Sequence, residues 1–109
     1  MRGECYVNEW KWGRMEMGEF QVTLNGRLDI NNCIDICYAL KYEYAGLQGG
    51  NQCFCDDYYP AVQAPWEDCN IKCEGEPIYS KCGGIRRVSV FSSTYGKRNP
   101  DCQQKYLKV

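Results

Sequence analysis

Eight of the chain's nine cysteines form one spaced run, C-x27-C-x3-C-x15-C-x-C-x13-C-x3-C-x8-C, made of Cys5, Cys33, Cys37, Cys53, Cys55, Cys69, Cys73 and Cys82. An even set of cysteines packed into about eighty residues reads as a disulfide framework, and such frameworks form and persist in oxidising compartments. The chain is therefore expected to be an extracellular or lumenal module. Composition points the same way: Leu, Ile, Val and Phe together number 20 of 109 residues. A domain of this length buries about two-thirds of its unfolded surface, and here there is little aliphatic material to bury. Cross-links worth about 2–4 kcal/mol each compensate by restricting the unfolded chain.

Thirteen basic and fourteen acidic residues leave a net charge of −1. That balance lacks the basic face of a nucleic-acid binder. No apolar run approaches the roughly 18 residues of a membrane span. The first twenty residues, opening Met1-Arg2-Gly3-Glu4-Cys5, hold no apolar signal-peptide core. Residues 1–109 are accordingly expected to be a fragment of a larger secreted or membrane-anchored protein.

The chain contains no histidine. That removes Ser-His-Asp and Cys-His nucleophile pairs, histidine-ligated zinc and the commonest general base. Carboxylate pairs remain at Asp56-Asp57, Glu67-Asp68 and Glu74-x-Glu76. They read as solvated loop charge, not as a hydrolase pair or a calcium site, since no EF-hand-like spacing is present. The cysteine spacings fit zinc poorly. No enzyme activity, cofactor or metal is expected.

Alternation places strands at Glu4 to Asn8 and at Phe20, Val22 and Leu24, the second closed by the turn pair Asn25-Gly26. Asp29 reads as an N-cap. Ile30, Cys33, Ile34, Cys37 and Tyr38 then recur at helical spacing and predict one amphipathic helix from Ile30 to Lys41. A hairpin follows, with strands at 44–48 and 52–56 around Gly49-Gly50-Asn51, then a long loop from Asp57 to Pro77 and a last strand at 87–91. Cys33 and Cys37 stand about 6 Å apart along a helix axis. Cys53 and Cys55 stand about 6.6 Å apart along a strand. These matched spacings suit two parallel staples between helix and hairpin, either Cys33–Cys53 with Cys37–Cys55 or the crossed pair.

Cys33-x3-Cys37, Tyr44-Ala45-Gly46-Leu47, Cys53-Phe54-Cys55, Asp68-Cys69-x3-Cys73-x-Gly75 and Cys82-Gly83-Gly84 through Arg87-Val88-Ser89-Val90-Phe91 together resemble the WSC domain. That family occurs in fungal cell-wall stress sensors and in animal kremens, polycystins and some xylosyltransferases. The resemblance covers residues 4 to 92, with 93–109 left as a polar linker or tail. It implies an α+β fold: a small disulfide-rich PAN/apple-like domain, with a twisted antiparallel sheet packed on one helix. It also implies the pairs Cys5–Cys69, Cys33–Cys53, Cys37–Cys55 and Cys73–Cys82. Cys102 falls outside the pattern and is expected to be unpaired within the domain, with a partner beyond Val109. Two further departures are Glu4, where Gly commonly precedes the first cysteine, and Asp56, where Gly commonly follows the C-x-C.

The family resemblance implies a non-catalytic carbohydrate-binding module that recognises cell-surface or cell-wall polysaccharide. Sugars offer C–H faces to aromatic rings and hydroxyls to carboxylates and amides. Trp66, Tyr58 and Tyr59 in the long loop suit that chemistry, with Asp56, Asp57, Gln63, Glu67 and Asn70 close in sequence. Trp10, Trp12 and Tyr79 are further candidates. Tyr6, Tyr44, Phe54 and Phe91 lie inside expected strands and read as core. The alternative is a protein–protein interaction module of a receptor or secreted-protein ectodomain, using the same aromatics as anchors.

Overall fold

A computed structural model describes residues 3–9, 16–75 and 80–93 of the chain. Trp10, Trp12, Tyr79 and Cys102 lie outside the described residues. Among the described residues, five strands and one helix follow in the order β1 (Glu4–Val7), β2 (Phe20–Thr23), α1 (Ile30–Ala39), β3 (Tyr44–Gln48), β4 (Gln52–Asp56) and β5 (Arg87–Ser92), with a 3-10 turn at Trp66–Asp68. All pairings are antiparallel, and the strand order across the sheet is β1-β5-β3-β4-β2. The molecule is thus a small disulfide-rich α+β domain.

Helix α1 starts where a local signal places it. The Asp29 carboxylate accepts the Asn32 N–H at 2.7 Å, and the Asn32 side chain accepts the Asp29 N–H at 3.0 Å. This reciprocal pair satisfies donors that the first turn would otherwise leave orphaned. The helix ends at Ala39, short of the Lys41 expected from periodicity. Lys41 adopts φ 68°, while its N–H bonds to the Tyr38 carbonyl and the Tyr42 N–H to the Cys37 carbonyl. That is the Schellman arrangement, with lysine at the left-handed position usually held by glycine.

One face of the sheet carries α1. Cys33, Cys37, Ala45, Leu47, Cys53, Cys55, Phe91 and Leu28 are buried between the two layers. Disulfides Cys33–Cys53 and Cys37–Cys55 join helix to β4 through this core. Cys5–Cys69 ties β1 to the end of the 3-10 turn, and Cys73–Cys82 closes a short loop flanked by a bridge between Lys72 and Lys81.

The opposite face has a thinner cover. Met17, Phe54, Val88 and Val90 are buried there, with Tyr6 and Tyr44 packed alongside. Gly46 makes room for this layer, since a Cβ on it would stand 2.7 Å from the Met17 sulfur. After β4 the chain crosses from one side of the sheet to the other. It arrives beside β1, where Val7 N–H donates to the Val62 carbonyl at 2.9 Å and Ala64 N–H to the Cys5 carbonyl at 2.8 Å. The crossover segment therefore covers the outer edge of β1, which would otherwise present unpaired backbone groups.

Candidate functional site

The crossover segment 57–65 is positioned at its root by one carboxylate. Asp56 Oδ1 accepts the N–H groups of Asp57 at 2.8 Å and Tyr58 at 3.3 Å, while Oδ2 accepts those of Gly18 at 3.2 Å and Glu19 at 3.3 Å. Both oxygens are spent on backbone, so Asp56 builds the loop and is not presented as a sugar ligand. Further along, Glu16 Oε2 accepts the Ala61 N–H at 3.3 Å. Two acids thus tie the crossover to the chain entering β2.

So held, the loop displays its aromatics unequally. Tyr58 is 79% exposed, Trp66 55% and Tyr59 50%. The Tyr59 ring lies 5.2 Å from Tyr6 at a 36° tilt and 5.1 Å from Tyr44 at 89°. These separations and angles are those at which aromatic rings attract. Phe54 and Phe91 are buried as expected, but Tyr6 and Tyr44 are only half-buried and form the backing of Tyr59. Burial, reinforced by Tyr59, Glu4 and Tyr44, raises the Tyr6 pKa above the ordinary 10.0. Glu67 and Asn70 are exposed, and the Gln63 amide donates to the Glu4 carboxylate.

Other candidates separate from this ledge. Asp57 Oδ1 accepts the Glu43 N–H at 3.1 Å. Asp57 also lines an open hollow of about 440 Å³ at the end of α1, with Tyr38, Ala39, Lys41, Tyr42 and Glu43. The Glu67-Asp68 pair divides as well: Asp68 Oδ2 bonds Arg87 Nε at 3.1 Å, and Arg87 Nη1 lies 3.6 Å from Glu9. The sulfurs of Cys33, Cys37 and Cys53 crowd within 4.8 Å, but each belongs to a disulfide and presents no thiolate. No helix among the described residues is long and apolar enough to cross a membrane.

The hollow, the backing role of Tyr6 and Tyr44, and the exposed Val62 and Ile85 have no signal in the sequence. Each depends on which distant segments meet. The strand alternation of Tyr6 and Tyr44 fixes only that they share a face with their same-strand neighbours at spacing two.

Comparison with known proteins places these features in a family. The model of the WSC domain matches residues 4–84. Among curated proteins, a WSC domain-containing protein of Arthroderma benhamiae is 36% identical over 90 residues, covering 81% of this chain and 9% of that protein. Xylosyltransferase oxt of Drosophila pseudoobscura pseudoobscura is 32% identical over 95 residues, covering 85% and 10%. Kremen protein 1 of Homo sapiens is 32% identical over 75 residues, covering 66% and 16%. The chain spans between 9% and 16% of the length of these relatives. The family match stops at Gly84, yet β5 beyond it sits between β1 and β3. With a framework of four disulfides and a family model matched over most of its length, the chain belongs to the WSC domain family.

Proposed function

We propose that this domain is a non-catalytic extracellular module that binds cell-surface or cell-wall carbohydrate on the aromatic ledge of the crossover loop. The observation that carries this reading is the Tyr59 ring, half exposed and braced from behind by Tyr6 and Tyr44. A braced ring loses little freedom on binding, so a sugar's C–H face stacks on it at low entropic cost. Tyr58 and Trp66 add exposed aromatic surface, and Gln63, Glu67 and Asn70 supply acceptors and donors for hydroxyls. Four disulfides suit an oxidising compartment. The absence of histidine supports a binding role, and the sugar transfer named for the xylosyltransferase relative is assigned to the nine-tenths of that protein outside the match.

The test is a pull-down of native, oxidised protein on insoluble β-glucan and xylan, followed by competition with soluble fragments. Binding that soluble sugar displaces, and that Tyr58→Ala weakens, is expected. The exposed Val62 in the same segment favours a second reading, a protein-binding face. Retention by a protein partner that soluble sugar leaves in place, with no polysaccharide binding, would establish that reading instead.

A further inference from the structure

The two edges of the sheet differ. The outer edge of β1 is covered by the crossover segment, through the Val7 and Ala64 N–H groups. Strand β2 forms the other edge and, among the described residues, pairs with β4 alone. Its register sets Phe20, Gln21, Val22 and Thr23 opposite Cys55, Phe54, Cys53 and Gln52. One residue further on, the Leu24 N–H donates to the Asn51 carbonyl at 2.7 Å. Backbone groups alternate in direction along an antiparallel strand, so Phe20 and Val22 also turn theirs toward β4. Gln21 and Thr23 turn their N–H and C=O groups outward, away from the sheet.

Proline, charge and bulge usually blunt such an edge, and β2 contains none of them. Its one restraint is a length of four residues. Phe20, Val22 and Leu24 are partly buried against the α1 layer, so each keeps apolar surface in reach of the edge. Gln21 and Thr23 are exposed on the other face, where the Gln21 amide donates to the Thr23 hydroxyl at 3.0 Å.

This edge is complementary to itself. Turned about a two-fold axis at Val22, a second β2 lies antiparallel, with Gln21 of each copy opposite Thr23 of the other. The outward groups then match, and each such pair exchanges two backbone hydrogen bonds. Val22 meets Val22 of the second copy, and Phe20 meets its Leu24, at the positions where cross-strand side chains stand closest. The strand itself is uncharged, with Glu19 before it and Arg27 after it, so the antiparallel arrangement opposes no like charges along β2.

We propose that the outer edge of β2 is a self-association site, where a second copy of this chain adds its own β2 and the two five-stranded sheets run on as one. The proposal is independent of the carbohydrate reading. A four-residue edge makes less than a standard interface, so isolated domains are expected to pair weakly and reversibly.

The test is sedimentation equilibrium of the native, oxidised chain from about 10 μM to about 1 mM, with amide hydrogen exchange at both ends of that range. Cys102 is alkylated first, so that no intermolecular disulfide contributes. Dimer is expected at the upper end, with slowed exchange at Gln21 and Thr23 and little change at Val22, whose N–H is already directed at β4. Thr23→Pro removes an outward N–H and leaves the bonds to β4 in place, so it is expected to weaken association about tenfold or more. Gln21→Glu combined with Thr23→Lys sets opposite charges across this register and is expected to tighten the dimer several-fold at low salt. Monomer throughout the range overturns the proposal. Slow exchange at Gln21 and Thr23 already at the lowest concentration overturns it too, because another part of the chain then covers the edge. Association that neither variant alters belongs to another face and has the same result.

Discussion

Asp56 holds Tyr58 by its backbone: Oδ1 accepts the Tyr58 N–H at 3.3 Å while the same carboxylate gathers the N–H groups of Asp57, Gly18 and Glu19. The most exposed aromatic of the ledge is therefore aimed by a side chain two residues earlier. Asp56→Ala should release both segments. It is expected to cost about 0.5–1.5 kcal/mol, the net scale of a hydrogen bond whose exposed donors can turn to water. Denaturant midpoints would measure the cost, and faster amide exchange at Gly18, Glu19, Asp57 and Tyr58 would localise it.

Tyr58 and Tyr59 are neighbours in sequence with opposite roles in stability. Tyr58→Ala should leave stability within about 0.5 kcal/mol, as for surface positions generally, and weaken polysaccharide binding. Tyr59→Ala removes two ring contacts worth about 0.5–1.5 kcal/mol each beyond area burial. It should lower the denaturant midpoint as well as binding. Equal stability losses in the two variants would contradict the bracing of Tyr59 by Tyr6 and Tyr44.

The raised pKa of Tyr6 gives an alkaline signature. Burial, with the negative charges of the Tyr59 phenolate, Glu4 and the Tyr44 phenolate, favours the neutral phenol in the folded state. On raising the pH the unfolded chain loses this proton first, near 10.0, so folding stability from this group is complete below that point. It is lost as pH rises from there through the folded pKa. Tyr6→Phe should flatten part of the alkaline fall in stability, read from denaturant midpoints against pH. No difference between Tyr6→Phe and parent above pH 10.0 would show that Tyr6 titrates as if exposed.

The disulfides should differ in weight because they close loops of different length. Cys5–Cys69 spans 64 residues and Cys73–Cys82 spans 9. Chain-entropy scaling gives about 4 kcal/mol for the first and about 3 kcal/mol for the second. Paired Cys→Ala variants compared by denaturant unfolding should show that order. The reverse order would mean that native contacts around Cys73–Cys82, and not chain entropy, dominate.

Elements fixed by local chemistry were legible in the sequence. The Asp29 cap is a bond between residues three apart, and the 44–48 and 52–56 hairpin strands follow from alternation around Gly49-Gly50-Asn51. The helix end was misplaced because its stop is Lys41 in a left-handed conformation, and no glycine announces it. The 3-10 turn at Trp66–Asp68 lay hidden in what read as loop. Site features were legible only in part. Loop position and residue type gave Tyr58, Tyr59 and Trp66 as candidates, and all three are well exposed. The bracing of Tyr59 by Tyr6 and Tyr44, the bonds from Gly18 and Glu19 to Asp56 and the meeting of Asp57 with the end of α1 join segments far apart in the chain. Spacing rules do not reach such contacts.

The place of β5 in the sheet has a consequence for how the chain is made. β1 is synthesised first, but its sheet neighbour is β5, the last strand. During vectorial synthesis β1 has no sheet partner until residues 87–92 have followed. Cys33, Cys37, Cys53 and Cys55 all emerge before Cys69, its partner in the folded domain. Any bond that Cys5 makes with those earlier thiols must be undone by thiol–disulfide exchange before the sheet can close. Reaching the native Cys5–Cys69 bond by way of such a pairing therefore takes an exchange step as well as oxidation.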